Sequence, residues 1–214
     1  MSVNLVAAPL PLDIENFTSE PLVINLRPLV KRMSDERFFE FCAANSDLRI
    51  ERKANGEIVI MPPEGGASGS RNSTLNARLS NWSFEDGTGV AFASSAGFRL
   101  PNGATYSPDA AWVRRSRLAS LTQREKERFL PLCPDFVIEL RSITDRLRPL
   151  QLKMVEYMDN GARLGWLIDP SDRSVYVYRP NRPVEHLTNL SALSGEPELP
   201  GFTLDLTLVW DPGF

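Results

Sequence analysis

An α/β fold, a mixed β-sheet flanked by helices, is predicted by three features of this 214-residue chain. The first is a hairpin signal, Asn55-Gly56 between two apolar-alternating runs; Asn-Gly favours the tight turn of an antiparallel pair. The second is Phe136-Val137-Ile138-Glu139-Leu140, apolar on both faces except for one acid, as a central strand would be. The third is the helix-then-strand order that follows it, 150–160 and then 164–168, which reads as a crossover connection. The expected core order is helix, strand, strand, strand, helix, strand.

Residues 1–30 hold several prolines and no clear period, and read as an N-terminal extension to a domain covering 31–214. Ser34 is a good N-cap, Asp35 and Glu36 suit a first helical turn, and Asn45 suits the stop. Strands are expected at 49–53 and 58–61, either side of Asn55-Gly56. Residues 62–69 read as a loop and about 70–85 as a helix burying Leu75, Leu79 and Trp82. Gly65-Gly66-Ala67-Ser68-Gly69-Ser70 lacks the lysine of a P-loop; it is a flexible lead into that helix, able to contact phosphate. Strands follow at 89–94 and 97–100, a turn at 101–103, and a strand from about Ser107 to Val113. Residues 114–133 read as helical and charged. After the 136–140 strand, Pro149 fits the first turn of a helix over about 150–160, and Gly161 its C-terminal cap. Strands at 164–168 and 174–178 pair through a turn at Asp172, and the tail is irregular.

Composition narrows the function. Hydrophobic residues make up 42% and charged residues 24%, a normal soluble balance with no apolar run of membrane-spanning length. The N-terminus lacks the basic start of a secretory signal, and two distant cysteines, Cys42 and Cys133, give no disulfide framework, so a cytoplasmic location is expected. One histidine, His186, excludes two-histidine sites; it reads as a surface strand residue, and no nucleophile elbow is present. The net charge is −3, but residues 114–153 hold ten Lys/Arg against five Asp/Glu. That excess is either a solvated surface or a face along which DNA approaches.

Two carboxylates stand inside strand-like runs, Asp109 in Ser107-Pro108-Asp109-Ala110-Ala111-Trp112-Val113 and Glu139 in the central strand. A buried carboxylate needs compensation, and a hard divalent cation provides it. On adjacent strands the two acids could share Mg²⁺ or Mn²⁺, which activates water and draws charge from a phosphate. Lys153, on the following helix, can reach back to orient that water or to hold a non-bridging oxygen, with Tyr157 on the same helical face. Glu51, on the hairpin, either completes the metal shell or makes a cross-strand ion pair. Asp135 reads as a strand cap, Asp169-Pro170 as a turn, and Glu64 as a residue that could flank the site.

Taken in order, Ser107-Pro108-Asp109, Glu139-Leu140-Arg141-Ser142 and Lys153-Met154-Val155-Glu156-Tyr157 resemble the PD-(D/E)XK nuclease superfamily. The similarity is nearest to the Uma-type restriction endonucleases and covers about residues 30–210. Arg49-Ile50-Glu51, Gly56-Glu57-Ile58 and the run from Asn160 to Pro170 add to it. The resemblance implies a restriction-endonuclease-like core and a Mg²⁺-dependent site. Asp109 and Glu139 match the motif acids and Glu51 an upstream acid. The superfamily usually places lysine two residues after the glutamate, where this chain has Arg141; in the Uma-type family the next helix supplies it, which fits Lys153. Arg141 is then expected to bind phosphate or pair with an acid, since arginine is no base at ordinary pH. DNA is the implied substrate, and a homodimer would cut both strands. The rivals are a nuclease-fold protein that binds nucleic acid or a protein partner without turnover, and a structural protein whose acids are satisfied by arginines.

Overall fold

The computed structural model describes residues 22–24 and 33–214. Most of the expected extension, 1–21 and 25–30, lies outside the described residues. Within it, strand β1 (Leu22–Ile24) pairs antiparallel with Ile58, Val59 and Ile60.

Helix α1 (Asp35–Ala44) starts as expected: Ser34 is extended and its side chain accepts from the Arg37 N–H. The hairpin follows as β2 (Arg49–Arg52) and β3 (Ile58–Met61), with Gly56 at φ 86° supplying the left-handed residue the turn requires. These strands join β5 (Phe98–Arg99) and β6 (Thr105–Tyr106) in a five-stranded sheet, order β1-β3-β2-β6-β5.

The main sheet has six strands, β4 (Gly89–Ala93), β7 (Ala110–Arg114), β8 (Phe136–Leu140), β9 (Leu164–Asp169), β10 (Ser174–Tyr178) and β11 (Glu185–Thr188). Their order is β11-β10-β9-β8-β7-β4, so β8 is central, and all five of its residues are buried. β8 runs parallel to β9 and antiparallel to β7, a mixed sheet in which α5 (Leu147–Asp159) is the crossover. Helix α2 (Gly66–Asp86) covers one face. Its Leu75 and Leu79 pack with Ala110, Trp112, Phe136 and Ile138. Helix α5 covers the other, where Met154 and Tyr157 pack with Ala111, Val113, Val137 and Leu167. The alternation along β7 and β8 thus feeds both layers. The tail adds a small hairpin, β12 (Ala192–Ser194) with β13 (Thr203–Asp205), and a short helix α6 (Thr207–Trp210) that closes the α2 face.

Several boundaries differ from the sequence reading. α2 begins at Gly66, four residues early, because the glycine run is wound into the helix through bonds such as Gly69 N–H to Gly65 O. The strand carrying Asp109 begins only at Ala110. Residues 105–106 belong instead to β6, and Ser107 to Asp109 is the link that leaves one sheet for the other. Residues 114–133 are helical only in α3 (Arg115–Ala119) and α4 (Gln123–Lys126), since Pro131 and Pro134 and a bridge from Leu130 to Phe98 hold the remainder as loop. α5 starts at Leu147, with Pro149 in its first turn as expected. Among the described residues no helix is long and apolar enough to cross a membrane.

Candidate active site

The site forms where the two sheets meet. Ala110 pairs with Ile138, so the next step of the antiparallel register sets Asp109 opposite Glu139. Asp109 Oδ2 accepts the Leu140 backbone N–H at 2.8 Å. The two acids are 5% and 3% exposed. From the smaller sheet, β2 brings Glu51, whose Oε1 accepts the Ser107 backbone N–H at 2.8 Å. From α5, Lys153 Nζ lies 2.9 Å from Glu139 Oε1 and 3.0 Å from Glu51 Oε1. All four expected residues therefore converge, with the lysine standing between two of the three acids.

Side chains around them fix these positions. Tyr157 donates its hydroxyl to Glu139 Oε1 at 2.9 Å, one helical turn beyond Lys153. The Lys153 ammonium lies 5.1 Å from the Tyr106 ring centroid and 5.9 Å from that of Tyr157. Tyr106 is held in turn by its hydroxyl, which donates to Glu156 at 2.6 Å. On the opposite side, Arg49 Nη2 donates to Asp109 Oδ1 at 3.1 Å and to the Ser107 carbonyl at 2.8 Å, while Nη1 donates to Glu64 at 3.0 Å. From α2, Asn72 donates to Glu64 at 2.8 Å and to Asp109 Oδ1 at 3.4 Å, and Asn76 donates to the Asp109 carbonyl at 2.9 Å.

The electrostatics follow from burial. Loss of water pushes the Glu139 carboxyl up to about 7; the Lys153 ammonium opposes that rise, and Asp109 and Glu51 add to it. Burial pulls the Lys153 ammonium down, but Glu139 and Glu51 outweigh it, so its pKa lies above the ordinary lysine value and it stays a cation. The Tyr157 phenol is raised well above its usual range, by burial first and then by Glu139. Arg49 is likewise held more firmly protonated, its neighbouring acids overcoming desolvation.

Among the described residues no group of three or more His, Cys, Asp or Glu side chains is arranged to hold a metal ion. Asp109 and Glu139 still suit one: both offer hard oxygen, and Mg²⁺ commonly takes one or two carboxylates and completes its shell with water and phosphate. Burial disfavours the ionised form of Glu139 even with Lys153 beside it, and a cation at this place would favour that form. Glu51 faces Lys153 and the Ser107 N–H.

Arg141 turns away. Its guanidinium pairs with Asp169 at 2.5 Å and donates to the Asp145 carbonyl at 3.0 Å. The basic run after β7 is also elsewhere. Asp109 and Arg114 flank opposite ends of the strand, roughly 17 Å apart at the usual rise per residue. Beyond it Arg117 pairs with Asp135, and Arg124 and Arg128 with Glu36. Three arginines of the run expected to guide DNA are thus engaged in ion pairs at the far end of the sheet. What opens beside the acids is a cleft of about 660 Å³, lined by Arg49, Glu64, Asn72 and Asn76 among others. Three residues were missed: Arg49 beyond its place in the resemblance, and Asn72 and Asn76 altogether. Their signals were present. Arg49 shares a strand face with Glu51 two residues on, and the asparagines fall at helical spacing with Leu75 and Leu79. His186 is an exposed β11 residue stacked on Tyr176, as expected.

A family model described as "Uma2: Putative restriction endonuclease" matches residues 35–207. No curated protein matches. Among solved structures, one titled as a "putative nuclease belonging to DUF820" from Anabaena variabilis is 22% identical, covers 75% of this chain and 89% of its own, and superposes with a TM-score of 0.64. At that identity the likeness speaks for the fold, which it shares.

Proposed function

The chain belongs to the Uma2 family, and from that premise we propose that it is a divalent-metal-dependent endonuclease hydrolysing DNA phosphodiester bonds. The observation that carries the reading is Lys153 Nζ within 3.0 Å of both Glu139 and Glu51, beside an Asp109 locked in register with Glu139.

In this reading Asp109 and Glu139 hold Mg²⁺ or Mn²⁺, and Glu51 is the assisting acid. The ion, when bound, lowers the pKa of a coordinated water and draws off charge that grows on the phosphate. Asp109, just before β7, is bonded to the Leu140 N–H next to Glu139 on β8, so the spacing of the two acids is set before substrate arrives. Lys153 remains protonated between two acids and so acts as a donor rather than a base, orienting the attacking water or a non-bridging oxygen. Glu51 keeps the ammonium aimed at that place, and Tyr157 fixes the rotamer of Glu139. Cleavage of both strands of a duplex calls for two such sites, which a homodimer supplies.

The test is nicking of supercoiled plasmid with Mg²⁺ or Mn²⁺, beside EDTA and Asp109→Ala controls. Metal-dependent nicking lost in the variant supports the reading. A second reading, a nuclease-fold protein that binds nucleic acid or a protein partner without turnover, is favoured by one observation. Arg49 on Asp109 and Lys153 between Glu51 and Glu139 compensate every acid from within the protein. Neither cleavage nor metal binding would be its signature.

A further inference from the structure

The link from β8 to α5 joins the two elements that carry Glu139 and Lys153, and so borders the place where those side chains meet. It leaves Leu140, whose N–H is bonded to Asp109. Ile143 is three residues on, and three residues of chain span at most about 11 Å. Among the described residues Ile143 is the most exposed large apolar side chain, at 88%. A lone apolar side chain on a surface is ordinary. This one stands beside the acids, on a turn that holds it out.

The turn is closed from both ends. The Ser142 N–H donates to Asp145 Oδ2 at 2.9 Å, and the Asp145 N–H donates to the Ser142 carbonyl at 3.1 Å, with Ile143 and Thr144 at the tip. The Ser142 and Thr144 hydroxyls are bonded at 2.9 Å. Arg141 fastens the base, donating to the Asp145 carbonyl at 3.0 Å and to Asp169. A tip ordered in this way loses little freedom when it is covered. Its surroundings select what covers it. Residues 141–148 hold three arginines against one aspartate. Asp145 is turned into the loop and Arg141 is matched by Asp169, while Arg146 and Arg148 are exposed. Exposed arginines beside an apolar tip fit a stacked polyanion, with phosphates for the cations and base faces for the isoleucine.

We propose that Ile143 is a wedge that enters the base stack of duplex DNA beside the phosphate to be cut. Asp109 and Glu139 are only 5% and 3% exposed, so a straight duplex presents its backbone to them poorly. Opening one base step kinks the duplex and lets that backbone descend towards the acids. The assignment rests on the endonuclease reading but is tested apart from it.

A step that is already unpaired costs less to enter, so preference for a mismatch reports on a wedge. Two labelled duplexes of about twenty base pairs, one perfect and one with a central mismatch, are titrated by fluorescence anisotropy in EDTA. The wild-type protein should bind the mismatched duplex about tenfold more tightly. Ile143→Ser should bring that ratio to about one and leave the slope of log affinity on log salt unchanged, because the phosphate contacts remain. Ile143→Phe should restore the preference. The residue is exposed, so neither variant should change the melting temperature. A wild-type ratio near one, an undiminished ratio in Ile143→Ser, or no binding of either duplex overturns the wedge. So does a change of oligomeric state in Ile143→Ser by light scattering, which would make the tip a protein contact. Plasmid nicking run in parallel keeps the two readings apart. Nicking with a ratio that ignores Ile143 defeats only the wedge, and an Ile143-dependent ratio without nicking defeats only the endonuclease.

Discussion

Asp109 Oδ2 takes the backbone N–H of Leu140 at 2.8 Å, so the first acid of the site is bonded to the strand that carries the second. The bond extends the β7–β8 ladder by one step using a side chain. It fixes the separation of the carboxylates without any contact between them.

Removing that acid has two separable effects. Asp109→Ala should abolish Mg²⁺ binding and leave the Leu140 N–H unsatisfied, a loss of about 1–3 kcal/mol that the folded state survives. Glu139→Ala should abolish metal binding too. Calorimetric titration beside circular dichroism checks both, and unchanged metal affinity in both variants would remove Asp109 and Glu139 from the metal site.

Lys153→Ala should keep metal binding and lose turnover by on the order of a hundredfold. Without the ammonium, Glu51 and Glu139 face one another unpaired, which should destabilise the metal-free protein by about 3 kcal/mol. Added Mg²⁺ should then raise the melting temperature more in the variant than in the wild type. Full nicking activity in Lys153→Ala would take the lysine out of the chemistry.

Tyr157→Phe removes one hydrogen bond to the charged form of Glu139. Metal affinity should fall modestly and the loss of stability should be about 1 kcal/mol. An unchanged affinity would mean that packing alone holds the Glu139 rotamer.

The Glu139 carboxyl at about 7 sets a pH signature. Its folded value lies above its unfolded one of 4.5, so between the two the folded protein binds the extra proton. The contribution of Glu139 to stability is therefore greatest below 4.5 and falls as pH rises towards 7 in the metal-free protein. The cation needs the ionised form, so Mg²⁺ binding should release a proton below about pH 7 and none well above it. Titration calorimetry in two buffers of different ionisation enthalpy measures this. Equal release at pH 6 and pH 8.5 would exclude Glu139 as the titrating ligand.

The acids and the lysine were legible in the sequence because each breaks a local rule. Glu139 is the one charge in a fully apolar strand, and Lys153 sits one turn from Tyr157 on a helix whose apolar spacing is clear. The central strand and the crossover were legible for the same reason. What failed were features decided by distant partners. The glycines of 65–69 read as loop on propensity, yet they wind into α2 because its C-terminal half is anchored on the sheet. The basic run after β7 reads as a phosphate face, yet three of its arginines find acids there, Arg117 with Asp135 and both Arg124 and Arg128 with Glu36 from α1. Arg49 and Asn72 are ordinary polar residues until β2 and α2 are laid against the same aspartate.

The site draws on both sheets and on helices that precede and follow the central strand, from Arg49 to Lys153 in the chain. A ribosome must therefore deliver the whole stretch before any of it is assembled, and domains complete as units during synthesis. A nascent chain that ends before α5 has Asp109 and Glu51 but no ammonium between the acids, and one proteolysed at the hairpin keeps Lys153 but loses its second carboxylate. Neither fragment contains an intact constellation. The four side chains thus come together only once synthesis has passed α5, and a cut at the hairpin takes them apart again.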